Sequence, residues 1–378
     1  MRTIDDLVTP CLLIEKKRLE ANISAMQARA NRAEVSLRPH IKPHKMLALA
    51  RMQRAAGARG ITVAKIGEAE VFAKEGFDDI RVAYTVVGRD KLERIAVLGD
   101  RVSFCVDTLE AARQASEFFA SYGHVASVLL EIDAGYGRCG VRWDDPNLAM
   151  FASDVARLPG LTLTGILTHE GDAYKPNYAR KAMETARDRM LSVAVRLARA
   201  DLAAPGSFEI SVGSTPSAYH FENATRGGFK ITEIRPGNYV FNDMTQVNLG
   251  VCNLKDCALT ALATVISRRR AADGTERFFL DAGRKVLTSD RAPLSDEYGQ
   301  LLYHARNMVP HPHARLVGLS EEHGWGAVHG GGTLSVGDRV RVVPNHACVV
   351  VNTQDEVYLL DNDIIIDQWL VDARGRVR

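Results

Sequence analysis

The chain carries almost no surplus of charge: 48 lysines and arginines against 46 acidic residues leave a formal net charge of +2 over 378 residues. A function resting on a basic field that gathers nucleic acid or an anionic membrane is thereby excluded. The run Arg268-Arg269-Arg270 reads as a solvated turn rather than a phosphate-binding patch. Cysteine is also sparse, and the six (Cys11, Cys105, Cys139, Cys252, Cys257, Cys348) are scattered without the close spacing of a disulfide framework. Several lie in apolar, strand-like stretches, where reduced core cysteine is expected. No apolar run approaches the ~18 residues of a spanning helix, and no signal peptide precedes the first strand. The expected setting is a reducing cytoplasm. Internal repeats and low-complexity tracts are absent too. What remains is 46% apolar and 25% charged, a composition that can bury a substantial globular core.

The length exceeds one average domain but suits a (β/α)8 barrel with an appended domain. Strand-like runs fall at 35–42, 61–65, 80–84, 102–106, 127–133, 161–168, 208–212 and 231–235. Most are short, apolar and β-branched, as parallel strands buried on both faces should be. Amphipathic helical segments such as 67–75, 109–121 and 178–200 lie between them. The alternation predicts a (β/α)8 barrel over 15–236, with an open doubly wound sheet as the alternative. After about Gly237 the rhythm changes. Runs at 259–267, 277–280, 315–319, 339–343, 348–351 and 356–360 read as strands separated by Gly-Asp turns such as Val336-Gly337-Asp338. They predict an all-β domain over 237–378, joined by 1–14, since 9–15 is also strand-like.

Leu37-Arg38-Pro39-His40-Ile41-Lys42 closes the first predicted strand, with Arg38, His40 and Lys42 on one face. Catalytic groups of a barrel gather at the C-terminal ends of its strands, where Lys42 falls. A desolvated amine beside other cations attacks an aldehyde to form a Schiff base; a solvated loop lysine is the alternative. Ser211-Val212-Gly213-Ser214-Thr215 follows the seventh strand and Arg235-Pro236-Gly237-Asn238-Tyr239 the eighth, the common phosphate position of this architecture. Ser211, Gly213, Ser214, Thr215, Gly237, Asn238 and Tyr239 are the phosphate candidates, although such segments are also ordinary turns. Arg138, in Gly135-Tyr136-Gly137-Arg138-Cys139-Gly140 after the fifth strand, could hold a cofactor's phenolic oxygen ionised, or simply face solvent. His169, ending the sixth strand, could stack on a pyridine ring or be a structural histidine. Tyr174 is a further pocket candidate. These groups together suggest pyridoxal 5'-phosphate (PLP).

His346-Ala347-Cys348 lies in a strand-like run over 340–351, where residues two apart share a face. An imidazole and a thiolate suit zinc, and two ligands leave open positions for substrate and water. The alternative is a core cysteine beside a polar histidine. Asp281-Ala282-Gly283 and Glu321-Glu322-His323-Gly324 read as pocket-edge loops.

In this order, Arg38-Pro39-His40-Ile41-Lys42, Gly137-Arg138-Cys139-Gly140, Thr168-His169-Glu170-Gly171, Asp281-Ala282-Gly283, Glu322-His323-Gly324 and Pro344-Asn345-His346-Ala347-Cys348 resemble the fold-type III PLP enzymes of the D-serine dehydratase, D-threo-3-hydroxyaspartate dehydratase and D-threonine aldolase group, distant relatives of alanine racemase. The likeness runs over nearly the whole chain. It implies Lys42 as the Schiff-base lysine, Arg138 at the phenolic oxygen and His169 against the ring. It implies a phosphate held by Gly213, Ser214, Thr215, Gly237 and Asn238, a divalent metal (zinc or manganese) on His346 and Cys348, and a homodimer. The implied reaction is dehydration of a D-3-hydroxy amino acid to a 2-oxo acid and ammonia. Lys42, once freed, takes the α-proton, and the metal activates the β-hydroxyl. His-x-Cys and Ser-Val-Gly-Ser-Thr-Pro look like the dehydratases, whereas Gly-Tyr-Gly-Arg-Cys-Gly is closer to the aldolases. Retro-aldol cleavage is therefore the main alternative; a racemase and a non-catalytic PLP carrier come after it. Arg284, Lys285 and Arg291 are candidates for a second substrate carboxylate.

Overall fold

Eight of the apolar runs become parallel strands of one closed ring. In the computed structural model, which describes residues 2–329 and 334–378, they are Ser36–Leu37, Ile61–Val63, Ile80–Thr85, Val102–Val106, Ala126–Asp133, Leu161–Leu167, Glu209–Val212 and Glu233–Ile234. Each pairs in parallel with the next from the second strand to the eighth. The eighth pairs back to the first through Glu233↔Ser36 and Ile234↔Leu37. The last seam closes at the His40↔Thr62 bridge, where the Thr62 N–H donates to the Pro39 carbonyl at 2.8 Å and the Ile41 N–H to the Thr62 carbonyl at 2.9 Å. The fold is thus the predicted barrel and not an open sheet. Its first strand is shorter than 35–42 because Pro39 brings no ladder donor.

The helices follow ordinary start and stop signals. Helix Leu109–Tyr122 opens with the Thr108 hydroxyl accepting the Ala111 N–H at 3.2 Å and closes on Gly123, whose φ of 73° is left-handed. It buries Ala111, Ala112, Ala115, Ser116 and Phe119, a helical stripe facing the ring. The barrel interior is not purely apolar. Arg38 is 1% exposed; it donates to Glu233 at 2.5 Å and, through two nitrogens, to Asp79 at 2.5 and 3.0 Å. Arg81 reaches the other Glu233 oxygen at 3.0 Å and Glu209 at 2.5 Å.

The chain divides into two compact units. One comprises Met26–Lys42, Leu49–Gly237 and Arg376–Arg378 and holds the barrel; the other comprises Met1–Ala25, Pro43–Ala48 and Asn238–Gly375. In the second, strand Leu259–Arg270 pairs antiparallel with Cys11–Glu15, Arg339–Val343 and Glu276–Leu280. Cys11–Glu15 also runs parallel to Glu356–Asp361, so the N-terminal strand is built into this sheet as expected. Leu7, Cys11, Leu13, Leu262 and Leu360 form a core cluster beneath it. Strands Gln300–His304, Gly324–Val328 and Ile364–Leu370 were not foreseen. The predicted strand 348–351 is instead part of helix Ala347–Asn352. Pro344 ends the preceding strand, and the Asp243 carboxylate accepts the Ala347 N–H at 2.9 Å, anchoring a helical turn that the β-branched valines alone do not suggest. Among the described residues, no helix is long and apolar enough to cross a membrane.

Candidate active site

The sequence-predicted residues of the barrel unit converge at the C-terminal ends of its strands. Lys42 follows the seam that closes the ring; its side chain is exposed, and its N–H points to His40 Nδ1 at 3.4 Å. Arg138 rides on a turn in which one Asp133 oxygen accepts the N–H groups of Gly135 at 2.8 Å and Gly137 at 3.0 Å. Both glycines have left-handed φ, 115° and 81°. The Arg138 side chain is 52% exposed and lies 3.5 Å from the buried Glu131, so it stays within reach of a ligand. Glu131 also accepts from the Cys139 thiol at 3.0 Å; burial and this carboxylate push that thiol up to about 11.

His169 is enclosed on most sides but keeps a partly open edge. Desolvation, then the charges of Arg138, Lys42 and Arg235, push its pKa down to about 3. The imidazole is therefore neutral at physiological pH, and the same interactions place the lysine and both arginines around it. The Tyr136 ring meets it edge-on at 6.1 Å between centroids. Tyr136 also packs over Gly171, where a Cβ would fall 2.2 Å from the ring. Tyr174 ends the single turn Gly171–Tyr174 and is half-buried.

The two phosphate-candidate loops are joined: the Gly237 N–H donates to Thr215 Oγ1 at 3.3 Å. Gly213, at φ 119°, sits so close to the second loop that a Cβ would meet the Arg235 nitrogen at 2.8 Å. Its own N–H is already taken by both oxygens of Glu170, at 2.8 and 2.9 Å. Burial pushes that carboxyl upward, opposed by Arg235 and by hydrogen bonds from Gly213 and Ser217. The Ser211 hydroxyl is turned inward to Glu233 and Arg235, which removes it from the set of phosphate donors. Ser214 and Thr215 remain as hydroxyl donors, with the Gly237 N–H spent on Thr215. An exposed primary amine, a reachable arginine, a neutral imidazole and a hydroxyl-lined glycine cradle fit a phosphorylated aromatic aldehyde such as PLP.

In the other unit, His346 stands at the N-cap of helix Ala347–Asn352 and Cys348 in its first turn, so the pair is gathered by a helix start and not by a strand face. Cys348, then the Asp243 hydrogen bond, raise the His346 pKa well above its ordinary value against the cost of burial. Asp243 is fully buried, and one of its oxygens lies 3.4 Å from His346 Nδ1. The Asn238 side chain, expected at the phosphate, donates to Asp243 at 2.5 Å, and its oxygen is buried without a partner among the described residues; Tyr239 is wholly buried. Asp243 was missed from sequence. Its one signal is Asp243-Met244-Thr245-Gln246, which reads as a helix cap. Among the described residues no cluster of three or more His, Cys, Asp or Glu side chains is arranged for a metal. The soft thiol and borderline imidazole fit zinc or a similar divalent ion that keeps open positions. Asp281, by contrast, is a structural clamp, accepting Thr9 Oγ1 at 2.6 Å and the Thr264 N–H at 2.8 Å. Lys285 is paired with Glu322 at 2.5 Å and Glu321 at 3.2 Å, and Arg291 with the Tyr298 hydroxyl at 2.8 Å.

Residues 14–244 match the family model "Alanine racemase, N-terminal domain", and 258–360 match "Putative serine dehydratase domain". The chain is 34% identical over 362 residues to D-threo-3-hydroxyaspartate dehydratase of Delftia sp., covering 92% of each. It is 32% identical over 374 residues to D-threonine aldolase of Arthrobacter sp., covering 97% of this chain and 93% of that protein. The solved structure of the Delftia enzyme superposes with a TM-score of 0.88 at 33% identity, over 98% of this chain and 99% of that one. Two further structures, each described as a D-threo-3-hydroxyaspartate dehydratase, carry alanine for a histidine and for a cysteine, the latter in a metal-free form; the replaced positions are spaced as His346 and Cys348 are here. The chain belongs to the fold-type III PLP enzymes of the D-serine dehydratase, D-threo-3-hydroxyaspartate dehydratase and D-threonine aldolase family.

Proposed function

We propose that the protein is a PLP- and divalent-metal-dependent dehydratase, converting a D-3-hydroxy amino acid such as D-serine, D-threonine or D-threo-3-hydroxyaspartate to a 2-oxo acid and ammonia. The observation that carries this reading is the His346–Cys348 pair held over Asp243, a site suited to a Lewis acid in a chain whose barrel unit offers an amine for PLP. The relative described as a dehydratase, with its metal-free cysteine variant, supports it. When bound, PLP supplies an electron sink for the α-carbon and the divalent metal a Lewis acid for the β-hydroxyl. Lys42 Nζ would hold the cofactor and would serve as the base for the substrate's α-proton. Arg138 orients the cofactor ring through its phenolic oxygen. His169, neutral because it is desolvated among cations, offers the ring an uncharged face. Ser214 and Thr215 bind the phosphate, and His346 and Cys348 the metal, zinc or manganese. A homodimeric, cytoplasmic enzyme is part of the same proposal.

A retro-aldol reading has its own support, since the 32% identical relative is an aldolase and the Gly135–Gly140 segment has the aldolase-like form. Product analysis with the three substrates, with and without chelator, tests both. A 2-oxo acid and ammonia, lost on chelation, are expected. Glycine with an aldehyde would overturn the dehydratase reading and assign the chain to C–C cleavage.

A further inference from the structure

The two oxygens of Asp243 do different work. Oδ1 accepts the Gln246 N–H at 3.1 Å and caps helix Met244–Asn248. Oδ2 makes none of that cap. It accepts the Asn238 carboxamide at 2.5 Å and the Ala347 N–H at 2.9 Å, and it lies 3.4 Å from His346 Nδ1. A helix cap accounts for the first oxygen only. It gives no reason for the second to gather a ring nitrogen of His346 and the N–H that begins the helix carrying Cys348, 104 residues downstream.

We propose that Asp243 is a positioning residue for the metal: it keeps the His346 proton on Nδ1, so that Nε2 is the coordinating atom, and it fixes the turn that presents Cys348. This rests on the reading of His346 and Cys348 as the metal ligands. A ligating histidine whose other nitrogen donates to a carboxylate is oriented and made more basic. The carboxylate is itself held, because Asn238 donates a charge-assisted bond to the same oxygen. Being fully buried, Asp243 is shielded from the water that would otherwise loosen such a contact. It cannot serve equally well as an amide. Asparagine caps a helix as well as aspartate does. With its oxygen on the Gln246 N–H, however, its NH2 would confront the donors of Asn238 and Ala347 and favour the opposite His346 tautomer, with the proton on the metal-binding nitrogen.

The test is Zn2+ affinity by chelator competition on the full-length wild type and on Asp243→Asn, His346→Ala and Cys348→Ala, with long-range 1H–15N spectra of the zinc-loaded wild type. Asp243→Asn is expected to bind zinc about 10–100-fold more weakly. The wild-type spectrum, which needs no variant to fold, is expected to show His346 protonated at Nδ1 and metal-bound at Nε2. An Asp243→Asn affinity within about twofold of wild type, or coordination through Nδ1, overturns the inference while leaving the ligand pair standing. Wild-type zinc binding that survives both His346→Ala and Cys348→Ala overturns the ligand reading and the role of Asp243 with it.

Discussion

Glu233 is the acid at the centre of the barrel's charged interior, and neutralising it should be costly. It is 3% exposed; Arg38 and Arg81 each contact one of its oxygens, at 2.5 and 3.0 Å, and the Ser211 hydroxyl donates to it as well. Burial alone would raise its pKa, but Arg38, Arg81 and Arg235 outweigh it and bring the pKa from 4.5 down to about 2. By linkage that drop corresponds to about 3 kcal/mol of stability carried by the ionised form. The sign is that of a depressed acid: the contribution is complete above the unfolded pKa of 4.5 and disappears as pH falls through about 2. Glu233→Gln keeps the volume and the hydrogen bond from Ser211 but leaves three arginines around a neutral amide. Breaking a buried pair in this way typically costs about 3–5 kcal/mol, so the two routes agree. The expected result at pH 7 is a loss of about 3 kcal/mol in urea unfolding, or a midpoint some 6–12 °C lower for a unit of this size. The gap to wild type should narrow between pH 4.5 and 2, a comparison in which the other carboxylates cancel. A loss below about 1 kcal/mol at pH 7, or a gap that does not narrow in acid, would show that the ionised Glu233 does not carry this stability.

Further outcomes follow from the site. Lys42→Ala should abolish the visible absorbance of protein-bound PLP without moving the thermal midpoint of the apoprotein, because the side chain is exposed; retained absorbance after gel filtration would place the Schiff base elsewhere. Cys139 is exposed, yet its thiol is held up to about 11 beside Glu131. Alkylation at pH 7.5 should therefore be slower than for a free thiol by about tenfold or more and should quicken in Glu131→Gln; equal rates would contradict the assignment. His169, at about 3, should show no protonation above pH 5 in an NMR titration of the apoprotein, and a midpoint near 6.5 would show that the ring is solvated.

The barrel was legible because each strand is a short β-branched run closed by a turn, a pattern that survives even where pairing is brief. Its charged interior was not. Arg38, Arg81, Glu209 and Glu233 lie in four different runs, and each looks like one polar residue at a strand edge. Only ring closure brings them together, Arg38 to Glu233 across 195 positions and Arg81 to Glu233 across 152. The site divides along the same line. The placement of Lys42, Arg138 and His169 near one another at strand ends could be read, because in a barrel the ends of the strands gather on one face. Glu170, next to one of them, gave no sign that it would occupy the Gly213 N–H 43 residues away.

The His346–Cys348 pair shows how one spacing can arise from two geometries, since the expected strand is a helix start. Strand alternation and a helix start both bring residues two apart to one side of a small space, so the spacing alone cannot distinguish them. The four residues after the pair are Val349, Val350, Val351 and Asn352, and local preference favours a strand. On the helix side stands a non-local contact that local preference does not include, a buried carboxylate that accepts the first helical N–H. Replacing that carboxylate should disturb the helix start and the histidine together, because the same oxygen serves both.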